Sequence, residues 1–71
     1  MRRQALKQSE LISSIGYNPS TRQMEVRYRE DGAVFTYGGV SEGLYKSLLR
    51  SPHPGEDFLK VRDSYPHKRI N

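Results

Sequence analysis

The stretch Met24–Gly39, MEVRYREDGAVFTYGG, restricts the fold more than any other part of the chain. Apolar Met24, Val26 and Tyr28 alternate with charged Glu25, Arg27 and Arg29, and a second run through Phe35-Thr36-Tyr37 follows an Asp-Gly pair. A period of two marks a strand with one buried face and one wet face. Asp31-Gly32 between two such runs predicts a hairpin closed by a two-residue type I′ turn, whose central residues both take positive φ. That turn sets a register: Glu30 pairs with Ala33, Arg29 with Val34, Tyr28 with Phe35, Arg27 with Thr36 and Val26 with Tyr37. Tyr28, Phe35 and Tyr37 then share one face with Met24, and each cross-strand pair adds about 0.2–1 kcal/mol relative to alanine. Arg27, Arg29, Val34 and Thr36 take the opposite face. A slip of one residue would turn the aromatic row outward. The row is read as core, because a chain of 71 residues with only seven Tyr and Phe has few other large groups to fill its centre.

The flanking segments supply partners for this ribbon. LISSIGYN, residues 11–18, is a short β-prone run, and Asn18-Pro19-Ser20-Thr21 has turn chemistry. After Gly38-Gly39, Ser41 is placed to cap a helix, with Val40 and Tyr45 forming a hydrophobic staple. Leu44, Tyr45, Leu48 and Leu49 make one apolar stripe. Ser51-Pro52-His53-Pro54-Gly55 breaks that helix. A second helix is expected from Pro54 or Gly55 to about Asp63, with Phe58, Val61 and Tyr65 on one face. The order is β-β-β-α-α. The fold class is therefore α+β: a three-stranded antiparallel β-meander with two short C-terminal helices packed on its apolar face. Residues 1–10 read as a flexible basic arm, 11–66 as a single domain, and 67–71 as a basic tail.

Composition limits the chemistry. The chain has no cysteine, which excludes disulfides, thiolate metal sites and a cysteine nucleophile. A secreted domain this small usually carries disulfides, so a cytoplasmic location is expected. No apolar run is long enough to span a bilayer. A core of this size yields roughly 3–5 kcal/mol of net stability. Twelve Lys and Arg stand against eight Asp and Glu, a net charge of +4. The excess is moderate, and solvated basic ends account for much of it.

No residue set declares a reaction. His53 and His67 could act as acid and base in RNA cleavage, but nothing in their spacing requires them to meet. Glu56-Asp57 and Glu30-Asp31 are adjacent carboxylates without metal-ligand spacing. Glu56 and Asp57 suit the first turn of a helix, and Asp31 suits the hairpin turn. No enzyme activity, cofactor or metal is expected.

In order, Ile12-x-x-Ile15-Gly16-Tyr17, the alternating Met24, Val26 and Tyr28, Gly32, Phe35-Thr36-Tyr37, Val40, Leu44-Tyr45, Ser51-Pro52-x-x-Gly55-x-x-Phe58 and Tyr65-Pro66 resemble the KTSC domain. This is a short module found at the C-terminus of some lysyl-tRNA synthetases and as stand-alone bacterial or phage proteins. The resemblance runs from about Leu11 to Pro66. Phe35 departs from the family's usual tyrosine, keeping the ring and losing the hydroxyl. Ser41 stands where proline is common, His53 where serine is frequent, and Leu59 where a polar residue is usual.

The family's association with a tRNA synthetase implies RNA binding. A small non-enzymatic binding module is therefore expected, contacting the phosphates of RNA or another nucleic acid. Arg27 and Arg29 on the wet sheet face would make those contacts, with Arg22 beside them. Arg2, Arg3, Lys68 and Arg69 in the two ends would add non-specific attraction. The alternative is a protein–protein interaction module, a phage or bacterial accessory factor that docks on a host or bacterial protein, or self-associates through an exposed sheet edge as a weak homodimer. No membrane partner is expected.

Overall fold

The computed structural model describes residues 3–5 and 10–71. Its centre is the expected meander: β2 (Ile12–Asn18), β3 (Gln23–Tyr28) and β4 (Val34–Tyr37), all antiparallel. Two further strands extend it. β1 (Arg3–Ala5) pairs with β2, and β5 (His67–Arg69) pairs with β4. The sheet thus has five strands, in chain order, rather than three. The arm and tail expectations are corrected here: Arg3–Ala5 and His67–Arg69 belong to the sheet. The reason lies in the edges. β2 and β4 would otherwise present unpaired N–H and C=O groups, and charged strands are what sheet borders accept. Such a strand lacks an apolar alternation, so its sequence reads as a tail.

The faces fall as the alternation demands, but the hairpin register differs. Met24 pairs with Tyr37, Val26 with Phe35 and Arg27 with Val34. This is two residues away from the expected pairing, and a shift of two preserves every face. The loop is longer than Asp31-Gly32. The Gly32 N–H donates to the Tyr28 carbonyl at 3.0 Å, and the Tyr28 N–H to the Ala33 carbonyl at 2.9 Å. Asp31 does not adopt the positive φ that a type I′ turn needs; Gly32 does, at +71°. The Asp31 carboxylate instead accepts the Ala33 N–H at 3.0 Å. The Arg29 N–H donates to the Leu11 carbonyl at 2.9 Å, which draws the loop toward the start of β2.

That φ gives a direct expectation for Gly32→Ala. A Cβ there would meet only the Arg27 guanidinium, at 3.9 Å, so space is not limiting. The left-handed backbone alone should cost about 1–2 kcal/mol. Urea unfolding of the variant measures this. A stability unchanged within about 0.3 kcal/mol would contradict the assigned turn.

Ile12 and Ile15 are both buried on the inner face although they stand an odd number of positions apart, with Ser13 and Ser14 between them. A bulge between Ile12 and Ser14 absorbs the extra residue and restores the inward register. Met24, Val26, Val40, Leu48, Pro54 and Phe58 are fully buried with these two isoleucines. The reverse face is not wholly wet, since Val34 is buried there beside Arg27.

Both helices lie on the inner face, as the apolar stripes require. α1 (Glu42–Arg50) begins at Ser41, whose Oγ accepts the Leu44 N–H at 3.2 Å. Tyr45 of α1 stacks on Tyr17 of β2, with centroids 5.2 Å apart, and the Tyr17 hydroxyl donates to the Val40 carbonyl. α2 (Pro54–Val61) starts on a proline, whose missing N–H is no loss in a first turn. The Ser51 hydroxyl joins the two helices by donating to the Asp57 carboxylate. Phe58 of α2 meets Tyr37 of β4 edge-on at 4.9 Å. A 3₁₀ turn at Arg62–Ser64 then leads into β5.

Candidate functional site

Two short helices cannot cover this sheet. α1 has nine residues and α2 eight, which gives lengths of only about 12–14 Å. α1 sits over β2 and α2 over β4. The corner near the β3–β4 loop and β5 is left open, and a cleft of about 390 Å³ occupies it.

Its floor is a cluster of rings. Tyr28 meets Phe35 edge-on at 5.6 Å, and Phe35 lies 6.5 Å from Tyr37. His67 of β5 packs 5.9 Å from Phe35 and 5.5 Å from Tyr37. Leu11, Ala33 and Arg62 also line the cleft. Glu30, Asp31 and Asp63 line it too and are exposed, so they form its lip.

The core reading of the aromatic row therefore holds in part. Tyr37 is 3% exposed beneath Phe58, whereas Tyr28 and Phe35 are half-buried and face the cleft. The Tyr28 and Tyr37 hydroxyls bond to each other at 2.7 Å, and Arg62 Nη1 donates to the Tyr28 hydroxyl at 3.4 Å. Burial first, and the bond to Tyr28 second, push the Tyr37 hydroxyl far above the ordinary phenol range. The same Tyr28 bond is the main reason that the Arg62 guanidinium is raised above its usual value. Phe35 stands between the two tyrosines and offers only its ring.

The expected phosphate-binding residues scatter over several surfaces. Arg27 lies on the reverse face, half-buried, with its guanidinium close to Gly32. Lys68 is also on that face, paired with Thr36. Arg29 is not on the sheet. It belongs to the hairpin loop, and its Nη2 donates to the Ile12 carbonyl at 3.4 Å. The longer loop removed it from the strand. Arg69 pairs with Phe35 and so shares the aromatic face, opposite to Lys68. Arg22 is exposed in the β2–β3 turn at φ +57°, and its carbonyl accepts the Val40 N–H at 3.0 Å. Arg3 holds the register position opposite Gly16. Arg2 lies outside the described residues.

One rung of the sheet crosses all five strands at Arg3, Gly16, Glu25, Thr36 and Lys68. Among the described residues no helix covers that side, since α1 and α2 pack on the other. His53 holds the position before α2, makes no side-chain capping bond and does not line the cleft, whereas His67 does, so the two histidines are not brought together there. Among the described residues no group of three or more His, Asp or Glu side chains is arranged to hold a metal, and no helix is long and apolar enough to cross a membrane.

The sequence reading missed Arg62, Asp63 and His67 as parts of one site. A signal for Arg62 was present: it follows Phe58 by four residues, the helical spacing that places it on the same side. For His67 there was none without β5.

A family model described as the KTSC domain matches residues 8–65. Among solved structures, the crystal structure of a KTSC domain protein from Yersinia pestis is similar, with a TM-score of 0.90 and 31% sequence identity over 99% of this chain and 97% of that one. A search of curated proteins gave no match.

Proposed function

The chain belongs to the KTSC domain family, and from that premise we propose that it is a small binding protein, without turnover, that takes RNA or another nucleic acid on the helix-free face of its sheet. The observation that carries this reading is the five-strand rung. It sets Lys68 at one border and the register position of Arg3 at the other, with Arg27 two rungs away on the same face. A twisted sheet face with cations spread across it suits a sugar-phosphate backbone, whose contacts position the ligand without reading its sequence. Glu25 lies on the same rung and keeps the face from being uniformly basic. The net charge of +4 and the family's link to tRNA synthetases favour the same reading.

Titration of short fluorescent RNA and DNA at two salt concentrations tests it. The wild type should bind RNA at low salt, with an affinity that falls steeply as salt rises. Arg27→Glu combined with Lys68→Glu should weaken binding at least about tenfold and reduce the salt slope by about two. No binding at low salt would end the proposal. Binding untouched by the double change would remove the sheet face from it.

A second reading rests on the borders. β1 and β5 are the sheet edges, and Ile70 beside β5 is 50% exposed. Edge pairing between two copies, or with a partner strand, would use those free groups. Light scattering that shows a dimer, dispersed by Ile70→Lys, would favour it.

A further inference from the structure

On the other side of the sheet from that face, we propose that the ring-floored cleft binds an organic cation, an alkylammonium or guanidinium group. The floor presents Tyr28, Phe35 and His67 around the buried Tyr37, with ring centroids 5.5–6.5 Å apart where they pack on Phe35 or Tyr37. The faces of tyrosine and phenylalanine rings attract a cation within about 6 Å of the ring centroid. Phe35 is suited to this role, because it adds a π face without a hydroxyl that would need its own partner.

The lip adds the charge. Glu30, Asp31 and Asp63 supply three carboxylates there against one guanidinium, that of Arg62. The lining residues thus carry two more carboxylates than guanidinium groups, with Arg69 nearby opposite Phe35, on a chain whose total is +4. Among the described residues none of the three carboxylates is held in an ion pair. Asp31 commits one oxygen to the Ala33 N–H and keeps the other. Arg62 donates to the Tyr28 hydroxyl.

The cleft volume of about 390 Å³ lies within the ordinary range for small-ligand sites. It accepts a charged head with its aliphatic stem. A phosphate-bearing ligand would meet the acidic lip, so the two faces of the sheet select opposite charges.

Proton NMR titration of the whole chain is the test. The probes are N-acetyl-arginine methylamide, which stands for a side chain on a peptide, spermidine, which stands for a free amine, and AMP as the anionic control. Either cation should move the Phe35 and His67 ring signals saturably, and the arm that binds more tightly identifies the source. Glu30→Gln with Asp63→Asn changes only exposed side chains and should weaken the cation about fivefold or more, while RNA binding on the reverse face stays as it was. Restoring charge with Glu30→Asp and Asp63→Glu should recover most of the affinity. The proposal is overturned if neither cation gives a saturable shift, if the lip variant binds as tightly as the wild type, or if AMP binds the cleft as well as the cations do.

Discussion

Phe58→Ala is expected to leave most of the chain unfolded at room temperature. Phe58 has no exposed surface, and its ring meets Tyr37 edge-on at 4.9 Å. It is the largest of the fully buried side chains and the one that holds α2 to β4. Truncation of a buried phenylalanine to alanine removes about 3–5 kcal/mol. A domain of this size has roughly 3–5 kcal/mol in total, so little or nothing remains. That range already includes the lost edge-on contact with Tyr37. Far-ultraviolet circular dichroism in a urea series is the measurement. Phe58→Leu keeps most of the volume and should retain a cooperative transition at a lower midpoint. If Phe58→Ala unfolds with the wild-type midpoint, α2 is not docked on the sheet as described.

Ending the chain after Pro66 should be nearly as severe. The loss includes the pairing of Phe35 with Arg69, Thr36 with Lys68 and Tyr37 with His67. It also removes the Ile70 N–H bond to the Val34 carbonyl at 2.8 Å and the Val34 N–H bond to the Asn71 carbonyl at 3.1 Å. At about 1 kcal/mol per net hydrogen bond the deficit is on the order of 2–4 kcal/mol. The loss of His67 from the rings of Phe35 and Tyr37 adds to it. β4 then becomes a sheet edge, with the apolar run Val34-Phe35-Thr36-Tyr37 exposed to other chains. Thermal melting should shift down by tens of degrees, and light scattering should grow with concentration. A loose tail would instead leave both measurements unchanged.

The two expectations show what the chain states openly and what it hides. The alternation of Met24, Val26 and Tyr28 named the inner face correctly, because side-chain direction in a strand depends only on parity. Phe58 and Val61 likewise named the inward side of α2, and Ser41 its neighbour's cap; the helix ends at Val61 rather than about Asp63, so Tyr65 lies beyond it, after the 3₁₀ turn, in extended backbone. Register was harder. Asp31-Gly32 suggested the shortest turn, but the loop is decided by bonds to distant backbone, Arg29 to Leu11 among them. That choice moved Arg29 off the sheet. Arg3–Ala5 and His67–Arg69 were illegible as strands, since a polar three-residue segment pairs only when a finished sheet offers it an edge. The cleft was hidden for the same reason: His67 and Arg62 meet Tyr28 and Phe35 only after β5 and the 3₁₀ turn are in place.

Spatial order equal to chain order has a practical result for anyone labelling this protein. β1 and β5 are separated by four interstrand steps, about 19 Å, and occupy opposite borders. An affinity handle or fluorophore attached beyond Asn71 would hang beside the ring-lined pocket and could fill it. β1 lies at the far border, so a group joined ahead of it starts away from that pocket, beside the register position of Arg3.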